Sequence, residues 1–439
     1  MKAQTELKEI GTEKIPADWE FRELKTLLKN KGYIRGPFGS ALRRPELKSS
    51  GVPVYEQANA IYDHRNFRFF IDDKKCEEMK RFMVEENDLL ISCSGTFGKV
   101  SIIRVNDQKG IISQALLILR PDSSKINPEF LKYFFVSDEG FNAIASRSLG
   151  SVQVNIAKRE VIEKIELAIP KDRQEQDKII KILSDLDSKV KLNQQMNQTL
   201  EEIAQTLFKK WFIDFEFPNE KGNSYKSSGG KMVWSEELQK EIPAEWRISI
   251  IGAEAETVLG GTPSTQRKDF WDNGTIAWIN SGKVNEFRIT EPSALITKEA
   301  VDNSATKLLP KGATVLAITG ATLGQMSKLE IDTCANQSVV GIVQKKSVTN
   351  EYIYCWLKEN IGTLLSGQTG GAQQHVNKND VNNMKIVVPL QKEILAFQFL
   401  IKPIFESISN NCFELQSLDN TRDYLLPKLM SGKIRVHNA

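Results

Sequence analysis

The sequence LNQQMNQTLEEIAQTLFKKWF, residues 192–212, decides how the rest of the chain can be arranged. It belongs to a stretch from Asp172 to Phe212 that contains no glycine or proline, and its apolar residues recur at alternating spacings of four and three. An average period of about 3.5 residues is typical of a helix that packs against another helix in a coiled coil. We therefore predict one long helix over residues 172–212, with Asp172 and Glu175 as a capping box at its start.

The predicted seam of this helix is apolar except at two positions. Its members are Ile179, Leu183, Leu186, Val190, Asn193, Asn197, Leu200, Ala204, Leu207 and Trp211. An asparagine on such a seam lowers stability but fixes the register between the paired helices. The alternative is that both asparagines lie at the wet edge of a loose seam, and the sequence alone leaves it open.

A second copy of this helix follows 218 residues further on. Its predicted seam consists of Ile404, Ile408, Asn411, Leu415, Leu418, Arg422, Leu425 and Leu429. Pro403 is expected to kink this helix or to start it. Each helix, over 172–212 and 391–431, has an apolar stripe that a partner must cover. Antiparallel pairing about the two midpoints would set Asn193 opposite Asn411, so we predict that these amides fix the overlap.

Each long helix follows a globular segment, and the two segments repeat one another. IPADW at 15–19 returns as IPAEW at 242–246, GTFGKV at 95–100 as ATLGQM at 321–326, and LAIP at 167–170 as IVVP at 386–389. Both segments mix short strand-like runs with turn residues and a short helix, which is typical of α+β domains.

The predicted fold class is therefore α+β. We expect two tandem α+β domains in a pseudo-two-fold arrangement, separated by a long antiparallel two-helix coiled coil. The predicted boundaries are 1–171 for the first domain, 172–217 for the first helix, 218–241 for a linker, 242–390 for the second domain and 391–436 for the second helix.

Composition excludes several classes of protein. The chain has 439 residues, of which 40% are hydrophobic and 26% charged, so we expect a soluble protein with at least two domains. No apolar run reaches the roughly 18 residues that span a membrane, and MKAQTELKEIG at residues 1–11 lacks the apolar core of a signal peptide. The five cysteines are scattered without a CxxC pair, so we expect no disulfide framework, no zinc site and a cytoplasmic location.

The distribution of charge is more informative than the net charge of +3. Between Arg22 and Lys48 lie eight basic residues and only two acidic ones. Such a cluster is suited to neutralising the phosphates of a nucleic acid. A solvated lysine-rich surface would explain the same cluster equally well.

Two diverged domains held apart by paired helices are suited to reading DNA. DNA advances about 3.4 Å per base pair, so a rod tens of ångströms long would separate two readers by a stretch that neither contacts. Since the domains differ, the two half-sites should differ as well. The architecture predicts an asymmetric, split DNA target rather than a palindrome.

Blocks in both domains and in the first helix resemble a known family. They are GPFGSAL (36–42), VYEQANAI (54–61), ISCSGTFGKV (91–100), LGGTPSTQ (259–266), FWDNGTIAWIN (270–280), AITGATLG (317–324) and, in the helix, LNQQMNQTLEEIAQTLFKKWFIDF (192–215). With these blocks the chain resembles the DNA-specificity subunits of type I restriction–modification systems over nearly its whole length. The resemblance implies double-stranded DNA and two methyltransferase subunits as partners, to which restriction–translocation subunits add. S-adenosylmethionine, ATP and Mg²⁺ are then expected on those partner subunits and no cofactor on this chain.

Motifs for catalysis are missing from the sequence. The stretch CSGTFGKVS (93–101) departs from a phosphate-binding loop at Cys93 and at Val100. There is no amino-methyltransferase motif of the Asn/Asp-Pro-Pro-aromatic type and no convincing GxGxxG loop, and the three histidines lack metal-site or triad spacing. We expect a non-catalytic subunit without a metal. The alternative is a non-catalytic two-domain scaffold that binds protein or RNA.

The resemblance also implies that loops and one edge of each domain enter the major groove. The candidates in the first domain are Arg35, Ser40, Arg43, Arg44, Tyr55, Gln57, Asn59 and Arg65. Those in the second are Ser264, Thr265, Arg267, Lys268, Trp278, Asn280, Ser281 and Lys283. Arginine can bridge guanine, and glutamine or asparagine can bridge adenine.

Two further groups of candidates have competing explanations. Gln153, Asn155, Lys158, Gln374, His375 and Lys378 could contact DNA, but they also suit turns that precede the helix-entry strands. The two helices have more bulky apolar side chains than a two-helix seam can bury. We therefore predict that four of them dock methyltransferase subunits: Phe208, Trp211, Phe212 and Leu426. Packing against the domains of this chain is the alternative for that second group.

Overall fold

A computed structural model of the chain describes residues 7–10, 13–38, 41–147, 154–345, 347–366 and 376–436. The chain divides into two compact units. Unit 1 comprises Met1–Lys189 and Leu418–Ala439, and unit 2 comprises Val190–Ser417. Both dividing points fall inside long helices, so each unit contains one globular domain and part of both helices.

The globular part of unit 1 is built from short strands and helices. In chain order they are β1 (Leu7–Ile10), β2 (Glu13–Pro16), β3 (Trp19–Glu23), α1 (Leu24–Leu27), β4 (Leu28–Arg35), β5 (Val52–Tyr55), α2 (Gln57–Ile61), β6 (Phe70–Ile71), α3 (Asp73–Glu78), β7 (Leu89–Ser92), β8 (Val100–Ile102), β9 (Ile111–Ile112), β10 (Leu116–Pro121), α4 (Pro128–Val136), α5 (Asp138–Ile144), β11 (Ala145–Arg147), β12 (Val154–Ile156), α6 (Arg159–Ile162) and β13 (Glu166–Pro170). The long helix α7 (Arg173–Phe208) follows.

Unit 2 has a similar sequence of elements. They are β14 (Met232–Ser235), β15 (Lys240–Pro243), β16 (Arg247–Ile250), α8 (Ile251–Glu254), β17 (Ala255–Leu259), β18 (Ile276–Ile279), β19 (Arg288–Ile289), β20 (Ala294–Ile296), α9 (Lys298–Asp302), β21 (Leu308–Leu309), β22 (Thr314–Ala317), β23 (Met326–Leu329), β24 (Thr333–Ala335), β25 (Val339–Gln344), α10 (Asn350–Ser366), α11 (Lys378–Asn382) and β26 (Lys385–Val388). The second long helix, α12, spans Gln391–Met430.

The sheets of the two units share one topology, which confirms the duplication. Strand order β4-β10-β7-β8 in unit 1 corresponds to β17-β25-β22-β23 in unit 2, where β19 adds a fifth strand. The parallel pair of β5 with β9, flanked by β6, corresponds to the parallel pair of β18 with β24, flanked by β20. The antiparallel pair β3–β13 likewise corresponds to β16–β26. Two tandem α+β domains are therefore confirmed.

The long helices begin and end within a few residues of their predicted positions. Helix α7 has 36 residues and closes in a π-helical turn at Lys209–Ile213, and α12 has 40 residues. The expectation that Pro403 starts the second helix is wrong, because α12 begins at Gln391 and runs through Pro403; a kink there stays a prediction. Proline removes one backbone hydrogen bond, and the buried side chains of Ile401 and Phe405 on either side of it hold the helix together.

The predicted capping box of α7 is half correct. The Asp172 carboxylate accepts a hydrogen bond from the backbone N of Gln174 at 2.9 Å. Glu175 does not complete the box, because its carboxylate accepts hydrogen bonds from Trp19 and Arg435. Glu175 thus bonds to residues that are distant in sequence and not to the backbone at the start of its own helix.

Within unit 2 the two long helices pair in antiparallel fashion around buried amides. Asn193 Nδ2 donates to Glu414 Oε2 at 2.8 Å, and Asn411 Nδ2 donates to Asn197 Oδ1 at 2.9 Å. All three asparagines are buried. The predicted pairing of Asn193 with Asn411 is therefore wrong by about one turn, because domain packing, and not the helix midpoints, sets the overlap.

The predicted seam also shifts within unit 2. Beyond Asn197 the buried positions of α7 are Glu201, Ala204 and Phe208, while Leu200 and Leu207 are only half-buried. This part of α7 packs against both α12 and α10, so its buried face is wider than a two-helix seam. Within unit 1 the helices also run antiparallel, with Arg422 Nη1 lying 3.6 Å from Asp187 Oδ1.

The bulky residues at the helix ends belong to the cores of their own units. Phe208, Trp211 and Phe212 are buried, with ring centroids 4.9–6.0 Å from that of Phe397. Leu426 is 5% exposed in the core of unit 1. The prediction that these residues dock methyltransferase subunits is therefore wrong, and the alternative, packing within this chain, is what the structure shows.

Helices long and apolar enough to cross a membrane do not occur in the part of the chain that the structure describes.

Candidate nucleic-acid interface

A polar cleft of about 970 Å³ opens in unit 1 beside helix α2. We call it the unit 1 cleft. Its polar lining includes Arg44, Gln57, His64, Asn66, Arg68 and Gln114. Guanidinium and amide groups are the side chains that read base edges most often. The cleft therefore brings three of the sequence-predicted candidates, Arg44, Gln57 and Asn59, together with four residues that were not among the predicted DNA contacts.

Gln57 fixes one wall of the cleft. Its Nε2 donates to the carbonyl oxygens of Ser94 and, at 3.2 Å, of Thr96. This turn uses the left-handed conformation at Gly95 and Gly98, with φ of 61° and 74°, which glycine adopts without strain. The amide of Gln57 is thus partly committed to holding the turn that follows β7.

Asn59 has a structural role and is not a base contact. Its side chain is 2% exposed, and Oδ1 accepts a hydrogen bond from Glu56 N at 2.7 Å. Nδ2 donates to the carbonyl oxygens of His64 and Asn66, both at 3.1 Å. The sequence suggested a reader, but the amide instead holds the loop that carries His64 and Asn66 into the cleft.

Tyr55 and Arg65 are corrected in the same way. Tyr55 is fully buried, its hydroxyl donates to Gln108 O at 2.7 Å, and burial raises its pKa to about 12. Arg65 Nε donates to Asp107 Oδ2 at 2.8 Å, and its Nη2 donates to Ile102 O at 2.8 Å. Both side chains are occupied inside the domain, so neither is available to a base.

Part of the basic cluster of unit 1 lies next to the cleft. Much of the basic cluster at Arg22–Lys48 is neutralised, since Arg22, Lys29 and Lys48 each lie within 3.6 Å of a carboxylate. Arg43 and Arg44 are exposed at the short 3₁₀ turn Arg44–Glu46.

Arg35 lies at the end of β4 and is half-buried. Its Nη1 donates to Leu116 O at 3.5 Å, and its guanidinium lies 5.7 Å from the ring of Phe38. Phe38 itself is 68% exposed. Ser40 lies outside the described residues.

Arg68 is the most prominent residue of the cleft that sequence reasoning missed. It is exposed, forms a bidentate pair with Glu56 at 2.7 and 3.2 Å, and stacks 4.3 Å from the ring of Phe69. No periodicity or motif marks the loop between α2 and β6. Its proximity to Arg44 and Gln57 arises only from the tertiary fold.

In unit 2 the corresponding surface is the loop between β17 and the 3₁₀ turn Lys268–Phe270. Gly260 lets this loop approach the sheet, because a Cβ there would lie 2.1 Å from Asn336 O. The carbonyl of Ser264 accepts a hydrogen bond from Trp271 Nε1 at 3.1 Å. Backbone contacts thus hold the loop, and the side chains of Ser264, Thr265 and Lys268 are exposed.

Three other candidates of unit 2 are engaged within the domain. Trp278 is 8% exposed, and its Nε1 donates to Gly261 O at 3.2 Å. Lys283 forms ion pairs with Glu286 at 2.8 Å and Glu291 at 3.0 Å. Arg267 is paired with Asp269 and, at 2.8 Å, with Glu299. The structure removes Trp278 and Lys283 from the base-reading set because packing and ion pairing occupy them.

Asn280 and Ser281 lie at the start of the 3₁₀ turn Ser281–Asn285. Asn280 Oδ1 accepts a hydrogen bond from Gly282 N at 2.9 Å, so this side chain caps the turn. Ser281 is half-buried in the same turn. Lys158 is exposed just before α6 and Lys378 is half-buried at the start of α11, whereas Gln153, Gln374 and His375 lie outside the described residues.

Groups of three or more His, Cys, Asp or Glu placed to hold a metal ion are not found among the described residues. The five cysteines are free thiols, and burial raises the pKa of Cys93 to about 12.

Comparison with known proteins gives a consistent result. The profile of the type I restriction modification DNA specificity domain matches residues 16–202 and 243–420. The type I restriction enzyme MjaIX specificity subunit of Methanocaldococcus jannaschii is 27% identical over an alignment that covers 99% of this chain and 97% of that protein. The HindI specificity subunit of Haemophilus influenzae is also 27% identical, with 74% of this chain and 81% of that protein covered.

A solved structure has the same fold. The crystal structure of the type I restriction–modification S subunit from M. genitalium superposes with a TM-score of 0.57 at 14% identity, covering 96% of this chain and 97% of that one.

Proposed function

Because the chain belongs to the type I restriction–modification DNA specificity family, whose profile matches both of its domains, we propose that it reads an asymmetric bipartite DNA target. In this proposal it is a non-catalytic subunit. It would select the site for methyltransferase and restriction subunits, which bind S-adenosylmethionine, ATP and Mg²⁺ themselves.

The proposal depends on one observation: equivalent places in two domains of one topology carry different reading groups. Each domain has a 3₁₀ turn between a strand of the larger sheet and the next strand, at Arg44–Glu46 in unit 1 and Lys268–Phe270 in unit 2. The first turn exposes Arg44, whereas the second exposes Lys268 after a loop of small hydroxyl side chains. Arginine forms bidentate bonds to guanine that lysine cannot reproduce. We therefore expect the two half-sites to differ in base sequence.

The helices support a fixed gap between the half-sites. Helices of 36 and 40 residues extend for about 54 and 60 Å at roughly 1.5 Å per residue. The buried amides of Asn193, Asn197 and Asn411 favour one overlap over its neighbours, since a slipped register would bury them without partners. We assign the helices the role of a ruler between the two blocks of the target.

Exposed apolar side chains on the unit 2 part of both helices are the surface we assign to a methyltransferase subunit. On α7 they are Leu192, Met196 and Ile203, which are 41–54% exposed and share one helix face. On α12 Leu395 and Phe399 are 58% and 81% exposed. Contiguous exposed apolar residues on a helix typically mark a protein interface. These residues replace the buried Phe208–Phe212 group as docking candidates.

The test is binding of DNA by the chain in complex with its methyltransferase subunits. We expect the affinity for duplex to fall linearly with the logarithm of salt concentration. The substitution Arg44→Ala should cost about 1–3 kcal/mol and relax the preference at one or two positions of one block. Arg22→Ala is the matched control, because Arg22 is paired with Glu20 and does not line the cleft. It should leave the sequence preference unchanged.

The alternative of a protein- or RNA-binding scaffold predicts the opposite pattern. RNA would then compete with duplex DNA at equal concentration, and the complex would show no preferred DNA sequence.

A further inference from the structure

The C-terminal tail of unit 1 inserts an arginine between two acidic residues. Arg435 Nε donates to Glu175 Oε1 at 2.8 Å, and Nη1 donates to Asp18 Oδ1 at 3.0 Å. Trp19 Nε1 donates to Glu175 Oε2 at 3.3 Å. The side chain of Arg435 is only 15% exposed, and its hydrogen bonds lower the pKa of Asp18. Two carboxylates and an indole thus form a binding site for a guanidinium group.

Unit 2 repeats the acidic and aromatic parts of this site. Glu393 follows Glu175 by 218 residues and, like it, is the third residue of a long helix. Glu245 and Trp246 follow Asp18 and Trp19 by 227 residues, within the repeated IPADW and IPAEW sequences.

These three residues of unit 2 line a cavity of about 650 Å³. Its aromatic lining consists of Trp211, Phe217, Tyr225 and Trp246. Glu393 is 7% exposed, and its Oε2 has no hydrogen-bond partner within the protein. Burial raises the pKa of this carboxyl group. A buried, unsatisfied carboxylate oxygen is uncommon in folded proteins and is typical of a site that takes a donor from outside.

None of the described residues supplies that donor. The residue 218 positions before Arg435 is Phe217, whose ring stacks on Trp246 with centroids 4.8 Å apart. Lys221 and Lys392 also line the cavity, but both are exposed and neither donates to Glu393 Oε2. The repeat therefore keeps the acids and the indole while an aromatic ring takes the place of the guanidinium.

We propose that this cavity of unit 2 is a guanidinium-binding site that takes an arginine side chain presented by another polypeptide. A guanidinium group satisfies a carboxylate with paired N–H donors and stacks on aromatic faces, which an ammonium group does less well. The aromatic walls strengthen the attraction by cation–π contact. The inference goes beyond DNA reading, since it concerns none of the residues assigned to the target.

The experiment is a calorimetric titration of the full chain with N-acetyl-L-arginine amide. Saturable binding of one ligand is expected, with a dissociation constant on the order of 1 mM for a ligand of this size. N-acetyl-L-citrulline amide has the same shape without the charge and should bind at least tenfold more weakly. Free L-arginine, titrated in parallel, has an α-ammonium and an α-carboxylate that an arginine within a polypeptide lacks, so a site for the side chain alone should bind it no more tightly than the amide. Tighter binding of free arginine would overturn the assignment to a polypeptide.

Two variants locate the site. Glu393→Gln should abolish binding of the arginine amide, and the control Glu241→Gln, at an exposed glutamate outside the cavity, should retain it. Phe217→Arg should also abolish binding and raise the thermal stability of the chain, since it would restore the arrangement of unit 1. Equal binding of arginine and citrulline amides, or undiminished binding by both cavity variants, would refute the site. Neither result depends on DNA binding, so the proposed function is tested separately.

Discussion

The two units attach a domain of one topology to the long helices in different ways. In unit 1 the attachment is mainly apolar, with Leu183 and Leu429 fully buried in one core, and its main buried polar contact is that of Arg435 with Glu175 at the start of α7. In unit 2 a network of charged groups is buried at the equivalent attachment. Its centre is Arg288 on β19, a strand for which the larger sheet of unit 1 has no counterpart.

The unit 2 network joins the sheet, α10 and both long helices. Arg288 Nη2 donates to Glu201 Oε2 at 2.7 Å, and Arg288 Nη1 donates to the Tyr354 hydroxyl at 3.0 Å. Lys358 Nζ donates to Glu201 Oε1 at 2.6 Å, and Ser409 of α12 donates to Glu330 Oε2 at 2.7 Å. The Arg288 side chain has no exposed surface. A buried network of this kind adds little net stability but strongly penalises any other orientation of the domain.

The comparison suggests that the same domain can be fixed by packing or by charge. Apolar packing tolerates small shifts, whereas a buried ionic network does not. We therefore expect substitutions at the unit 2 attachment to have larger effects than matched ones in unit 1.

Removing Arg288 is the strongest test of this difference. Arg288→Met should destabilise unit 2 by about 3–5 kcal/mol, because Glu201 would stay buried without its guanidinium partner and the buried Glu330 would lose a nearby positive charge. The measurement is hydrogen exchange of α10 peptides in denaturant, with unit 1 peptides as the internal reference. Arg267→Met is the control and should leave stability nearly unchanged, since its ion pairs are half-exposed. Equal losses in the two variants would contradict the account.

The pH dependence of unit 2 should reveal the same network. Burial opposes the charge on Glu201, but Arg288 and Lys358 attract it more strongly and lower its pKa below the ordinary value. The stabilisation is therefore fully present above the unfolded-state pKa of about 4.3 and is lost as pH falls through the lower folded-state pKa. In thermal melts at pH 7 and pH 3, wild type should lose more stability on acidification than Glu201→Gln. An equal loss of thermal stability in both proteins would show that groups other than Glu201 cause the acid sensitivity.

In unit 1 the matched change is Tyr133→Phe. The Tyr133 hydroxyl donates to Asp187 Oδ2 on α7 at 2.8 Å, and Asp187 is partly exposed. Water can replace the lost donor, so the expected cost is about 1 kcal/mol, measured by exchange of α4 peptides. A loss as large as that of Arg288→Met would show that unit 1 also depends on a polar attachment.

The smallest effect on stability is expected for the buried hydrogen bond between Asn197 and Asn411. The double substitution Asn197→Leu with Asn411→Leu removes both partners of one buried hydrogen bond, so stability should change by less than about 1 kcal/mol. The register should nevertheless loosen, and the gap between the two DNA blocks should become variable. Sequencing of DNA bound by the variant complex measures that gap. An unchanged gap would show that the amides do not determine the distance between the two DNA blocks.

The sequence predicted the long helices well because their determinants are local and repeated. A stripe of period 3.5 in a stretch without glycine or proline determines the extent of α7 to within a few residues, and the repeat transfers that result to α12. The pairing register is not local. The contacts of Glu201 and Phe208 with the domain of unit 2 shift it by a turn, and no pattern within the helices records those contacts.

The structure divides the predicted reading residues into two classes, and the sequence could not separate them for a related reason. Arg44, Gln57, Ser264, Thr265 and Lys268 lie on exposed or partly exposed loops and helix starts, as expected of readers. Tyr55, Asn59 and Trp278 have the same side-chain chemistry but satisfy it inside the domain. A short strand does not reveal which of its faces is buried, so these two classes look alike in sequence.

Selection of bound DNA from a random duplex pool, with the chain in complex with its methyltransferase subunits, tests the central proposal most directly. The account predicts two unlike blocks of specified bases, separated by a gap of constant length and unspecified sequence. A single uninterrupted palindrome among the selected sequences would contradict it.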